Sequence, residues 1–428
     1  SEDEPGLRHA LQLLRAESLV VTGDFAGAEA SFAELLRRAR DDRERGAVYE
    51  LQVNLLVHRG KLDEAMAVGL AGLRRLGIEL KARPGVPTLI AEFLRTRAAI
   101  GKRSPEDLLR LPDLRDEDVR QQLKLLYSIS GAAYQVDFTL MIQIALRTTR
   151  MSLTHGNSPL AAAEYISYGL MLGPITGDRR RMDAYGRVAL TLLARQPDRG
   201  VESLVRFLYG SLIQPALHPL RDTFATLREG HACGADTGNL LYASLCLSSL
   251  ANAQWSAGCP IDQVREEVAG AVAFARRSRV DTVLRTIGPL AAAIAWFVGE
   301  AEPAAEATLG EMTADEAKVQ RHVVWQFAIE RALHADGGAG ALVLAEQADR
   351  EVGQVLPVAM VLQHQAHRAL LLARDHAGRG AFGRAQAVRA IQGVARKLAR
   401  HAEENPANFT ALHLLVGAEL ARVQGDAE

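Results

Sequence analysis

Apolar residues in this chain recur at i, i+3, i+4 and i+7 in almost every segment, and runs of alternating β-branched residues are few. A helix places such positions on one face, whereas a half-buried strand needs a period of two. Leu11, Leu14, Ser18 and Val21 share one face, and Leu51, Leu55 and His58 share another. Gly, Pro and Asp/Ser/Asn signals interrupt the rhythm every ~15–20 residues, which predicts on the order of twenty helices joined by short loops. The chain is therefore read as all-α. At 428 residues it is long enough for two or three conventional domains or for one extended repeat array, and for a long all-α chain without one large central core an α-solenoid of antiparallel helical hairpins is the common solution.

Two segments align as repeats. Around Gly23 and Gly60 the pattern Gly-x-(large apolar)-x-x-Ala appears as Gly23/Phe25/Ala28 and Gly60/Leu62/Ala65, 37 residues apart. This is the turn and second-helix start of a tetratricopeptide-type repeat, whose standard period is about 34 residues. Glycine permits the tight turn, the apolar residue plugs the hairpin, and alanine lets the second helix lie close to the first. A third match is Gly380/Phe382/Ala385, and a fourth begins at AELARVQGDAE with Gly425. The last match stops before a second helix, so the chain is expected to be a piece of a longer protein. The expected division is hairpins over 1–83, a degenerate helical-repeat region over 84–370, and hairpins again over 371–428.

Hydrophobic residues make up 48% and charged residues 24%, ordinary for a folded soluble protein. Fifty basic and 51 acidic residues leave a net charge of -1, so no global field draws the chain to nucleic acid or anionic lipid. Cys233, Cys246 and Cys259 form no CxxC pair and are odd in number, which argues against a disulfide framework or zinc site and makes a reducing cytoplasm the expected location. The longest apolar run, Pro289 to Gly299, falls short of the ~18 residues that a membrane span needs.

Several motifs imitate sites. Gly378 to Gly383 spells GRGAFG, the glycine-rich loop of a kinase, with Lys397 downstream. A kinase needs that loop on a β-hairpin, with HRD and DFG motifs after it, and here the surroundings are helical by composition. His364, His367 and His376 lie near one helix without an HExxH glutamate and are read as packed or solvated histidines rather than metal ligands. The arginine clusters LRRARDDRERG, GDRRRMDAYGR and FARRSRV are read as surface faces. Trp255, Trp296 and Trp325 are read as core. Asn54 and His58, on the first helix of the second hairpin, are the candidate contacts to a partner segment in the concave groove. No catalytic, metal or cofactor residue is assigned.

HGNSP, His155 to Pro159, reads as punctuation. Gly156 suits a left-handed stop for a helix from about Phe138 to His155, Ser158 an N-cap, and Pro159 the first turn of the next helix. His155 and Asn157 are expected to hydrogen-bond within the loop. Ala161, Ala162 and Ala163 then permit close helix approach, with Tyr165 and Tyr168 filling adjacent layers.

Four segments also carry a resemblance: LRRLGIELKARP at 73–84, EDLLRLPDLRDEDVRQQLKLLYSI at 106–129, MSLTHGNSPLAAAEYISYGLMLG at 151–173 and NFTALHLLVGAELARVQGD at 408–426. Together they resemble the tetratricopeptide-like region of very large bacterial signalling proteins. In that family a serine/threonine-kinase-like domain and an AAA- or STAND-type ATPase precede the region, and GAF and histidine-kinase domains follow. The resemblance implies a non-catalytic sensor or scaffold that binds a protein, peptide or ligand partner and couples it to the neighbouring ATPase and kinase domains. The alternative is the inducer-binding superhelical arm of a MalT-like ATPase transcription activator.

Overall fold

The computed structural model describes residues 4–300, 318–335, 338–349 and 358–425. The described residues fold as nineteen α-helices with short 3₁₀ and π turns, joined to no strand beyond one isolated bridge, Asp113 with Asn157. They form two compact units, residues 1–171 with 187–198 and residues 172–186 with 199–428.

In the first unit the helices are α1 (Glu4–Thr22), α2 (Phe25–Arg38), α3 (Asp42–His58), α4 (Leu62–Arg75), α5 (Val86–Ile100), α6 (Glu117–Val136) and α7 (Phe138–His155), followed by α8 (Ala161–Thr176) and α9 (Arg179–Arg195), which continue into the second. Acidic caps start several of them. Asp24, Asp41, Asp116 and Asp137 each accept from backbone N–H groups of the next turn, satisfying donors that a helix leaves open. α1, α2 and α3 pack on one another around Ala16, Phe32, Leu35 and Val48. α3, α4 and α6 form the next layer. Gly69 and Gly72 allow it: a Cβ at Gly69 would lie 2.0 Å from Ile129 Cγ2, and one at Gly72 2.8 Å from Tyr49. The regular order breaks at α5, which is bypassed by the α4–α6 contact and packs on α7 instead.

The second unit runs through α10 (Arg199–Leu208), α11 (Thr223–Thr237), α12 (Leu240–Ser256), α13 (Ile261–Arg277), α14 (Asp281–Phe297), α15 (Lys318–His334), α16 (Gly338–Asp349), α17 (Val358–Arg374), α18 (Ala381–Glu404) and α19 (Pro406–Gln424). Each packs on its chain neighbour, and α10, α12, α15 and α17 also touch the helix two places on. Contact with the next and next-but-one helix is the packing of an α-solenoid.

Among the repeat glycines, Gly23 and Gly60 take positive φ of 82° and 70°, Ala28 and Ala65 are fully buried, and Phe25 and Leu62 are half-buried. The Gly380 match does not share this geometry. Gly380 has φ -66° and caps α18, Phe382 is 85% exposed, and Ala385 is exposed. The inward stripe of α18 is Ala387, Ile391, Ala395 and Leu398, and that phase turns Phe382 and Ala385 away from the core. Gly425 takes φ 81° and closes α19.

The helix ends also reveal a recurring stop. At Gly60, Gly77, Gly258 and Gly299 a positive-φ residue donates to the carbonyl three back while the next residue donates to the carbonyl five back. This is the Schellman arrangement. Arg279, at φ 56°, makes the same pair of bonds without being glycine.

Candidate functional site

The HGNSP loop is a structural clasp. Gly156 ends α7, its N–H donating to Ser152 O at 2.9 Å, but its φ 102° and ψ 172° are not the left-handed helical position expected of it. They lie in a region open essentially to glycine alone, and a Cβ there would stand 2.3 Å from the Pro112 carbonyl oxygen. Ser158 does not cap α8 directly: its Oγ accepts from Leu160 N at 3.2 Å, and the helix begins at Ala161. Pro159 lies in that preceding turn, so the cap–proline–helix order is displaced by two residues. The displacement arises because Asn157, not Ser158, organises the loop.

Asn157 is 3% exposed. Its Nδ2 donates to Leu108 O at 2.8 Å, its Oδ1 accepts from Tyr165 Oη at 2.8 Å, its N–H donates to Pro112 O, and its carbonyl accepts from Leu114 N. Every polar group of the residue is engaged, so residues 108–114 are fixed against α8. Three of the segments that carry the resemblance thereby share one core, through Leu73, Ile78 and Leu80, Leu114 to Ile129, and Met151. His155 is exposed. Asn405 and Asn408 act similarly in the second unit, both donating to the carbonyls of Pro215 and His218, while Asn408 Oδ1 accepts from Leu220 N. Their spacing from those partners in sequence hides them from a local reading.

Behind the clasp lies Glu164. It is buried, hydrogen-bonded to Ser152 Oγ, and burial pushes its carboxyl up to about 8, so it is a neutral acid at pH 7. The second unit holds another buried acid. Glu330 accepts from Trp255 Nε1 at 3.0 Å and from Gln363 Nε2 at 3.1 Å, and Gln363 Oε1 in turn accepts from Ser256 Oγ at 3.2 Å. Burial raises Glu330 to about 7, the range of a general acid or base. Both its oxygens are nevertheless occupied by side chains of α12 and α17, and the residue is 5% exposed, so the network ties three helices together.

The histidines of α17 separate. His364 Nε2 lies 2.8 Å from Asp349 Oδ1, whereas His367 Nδ1 is 3.7 Å from Glu330 Oε1, and burial holds His367 down to about 3. Among the described residues no group of three or more His, Cys, Asp or Glu side chains is placed to hold a metal ion. Gly378 closes a 3₁₀ turn, His376–Gly378, and Ala381 to Gly383 begin α18, which is not the β-hairpin of a kinase. Trp325 is 8% exposed, and Trp255 and Trp296 are half-buried. Asn54 is half-buried on α3, and the side chain of His58 lies outside the described residues.

Two features face outward. Open depressions of about 440 and 400 Å³ lie over α11–α13 and over α16–α18. α5 exposes an apolar stripe, with Val86, Ile90 and Leu94 at 68, 54 and 56% exposure, opposite the Glu92 and Thr96 face that meets α7. No helix of the described residues is long and apolar enough to cross a membrane. No protein-family model matches the chain, and no curated protein matches it.

Proposed function

We propose that the chain is a non-catalytic, tetratricopeptide-like scaffold that binds a helical protein segment and, within a larger cytoplasmic bacterial signalling protein, couples that binding to neighbouring ATPase and kinase domains. The observation that carries the reading is α5. Its outer residues Val86, Ile90 and Leu94 recur at i, i+4 and i+8, within about 80° of arc, and stand in solvent. Lys81, Arg83, Arg97, Lys102 and Arg103 around them are exposed, while Glu92 is buried and paired with Arg150 at 2.5 Å and with Arg95 at 3.1 Å. A narrow apolar stripe between basic ends complements an acidic amphipathic helix. A lipid surface takes a wider face with aromatic anchors, and this stripe has none. Stacked hairpins suit coupling because their contacts run between near neighbours. The three free thiols suit a reducing compartment.

The test is fluorescence anisotropy of a labelled, glutamate-rich amphipathic peptide titrated with the chain. Saturable binding is expected, weakened at least about tenfold, or ~1.4 kcal/mol, in an Ile90→Asp/Leu94→Asp variant. Binding unaffected by the double substitution, or transfer of the chain to anionic vesicles in place of the peptide, overturns the docking face. Nucleotide hydrolysis by the chain at about 1 s⁻¹ or faster overturns the non-catalytic reading.

A further inference from the structure

The first turn of α9 is Arg179-Arg180-Arg181, with no acidic residue in that turn. Cations at this end oppose the helix dipole, whose positive pole lies there. Asp178 precedes them and accepts from Arg181 N at 2.9 Å. The end of α18 faces this turn: Arg179 Nε donates to Glu404 Oε2 at 2.8 Å. On α18, Lys397, Arg400, His401 and Glu404 follow an i, i+3, i+4, i+7 spacing and therefore share one face.

That face is short of negative charge. Glu404 is committed to Arg179, and Lys397 has no carboxylate within ion-pair distance among the described residues. Lys397 is half-buried, and its ammonium is held below its ordinary range first by burial and then by Arg179 and Arg400. His401 is 6% exposed with Nδ1 unpartnered; burial, then Arg179 and Lys397, hold it down to about 4, so it is neutral at pH 7. Lys397 also lines the 400 Å³ depression with Gln365, Arg368 and Asp349, and Arg368 there is already paired with Asp349 at 2.9 Å. Space for a nucleotide-sized molecule thus opens beside a half-buried lysine that has no carboxylate partner among the described residues.

We propose that Arg179, Lys397 and Arg400 form a binding site for a small phosphorylated molecule, its phosphoryl oxyanion seated between the start of α9 and the end of α18. Arginine supplies forked donors to such an oxyanion and lysine a point charge. The site is distinct from the α5 face, and neither depends on the other.

Isothermal titration of the full chain with inorganic phosphate, pyrophosphate and adenosine monophosphate, at fixed ionic strength, tests the proposal. Saturable binding is expected, with the nucleotide stronger than phosphate if the depression takes part of the ligand. Lys397→Gln should weaken binding at least about tenfold. Glu404→Gln, which frees Arg179, should tighten it about threefold. The opposite signs separate binding from a general loss of fold, checked in both variants by thermal unfolding. No saturable binding of any of the three, or equal affinity in wild type and both variants, overturns the site.

Discussion

At the scale of single residues, Asn157 and Glu164 are buried polar side chains whose state is set by the neighbours that the fold brings to them. HGNSP is legible as a helix stop because glycine and proline constrain the backbone locally. That Asn157 rather than Ser158 governs the loop is not legible, since its partners Leu108, Pro112 and Tyr165 are fixed by tertiary packing. Glu164, a charged residue among alanines and tyrosines, is likewise ordinary in sequence and neutral in the fold. Its raised carboxyl has a measurable sign. In the unfolded chain it titrates near the ordinary 4.5, in the fold near 8, so the folded state holds the extra proton between these values. The stabilisation is complete below pH 4.5 and is lost as pH rises through about 8. The slope is ~1.4 kcal/mol per pH unit for one proton. Glu164→Gln should remove that slope from urea unfolding measured between pH 5 and 8. Parallel curves for wild type and variant would contradict a neutral Glu164.

Helices are the scale at which the sequence reads best. The all-α class and the 138–155 helix follow from periodicity, and Gly23 and Gly60 follow from the turn requirement. The Gly380 match shows the limit: three residues in a motif do not fix helix phase, which is set by the longer stripe Ala387, Ile391, Ala395 and Leu398. The helix boundaries in the middle of the chain are partly hidden for a related reason. The helix stops at Gly258 and Gly299 are Schellman turns like that at Gly60, but the stop between them is built on Arg279. An arginine there carries no sequence signal and bears the left-handed cost of ~1–2 kcal/mol. Arg279→Gly should therefore stabilise the chain, by up to ~1 kcal/mol once glycine's greater unfolded-state freedom is offset. Chemical denaturation is the measurement, and a loss of stability would mean that the Arg279 side chain contributes more than its backbone costs.

For the molecule as a whole, both proposed contacts lie on surfaces that periodicity cannot assign. α5 carries Val86, Ile90 and Leu94 on one face and Glu92, Thr96 and Ile100 on another, and the sequence does not tell that α7 covers the one that holds a carboxylate. Only the bypass of α5 in the α3–α4–α6 layer leaves Val86, Ile90 and Leu94 in solvent. The same holds for Lys397, whose neighbours Arg179 and Arg400 come from helices over two hundred residues apart in one case and from one turn away in the other. A scaffold that receives its partner on α5 should show that contact directly. Hydrogen–deuterium exchange of the full chain, with and without a saturating acidic amphipathic peptide, is the most direct measurement. Slowed exchange concentrated in residues 86–100 is the predicted result, and binding that leaves those amides unprotected while slowing others would contradict the account.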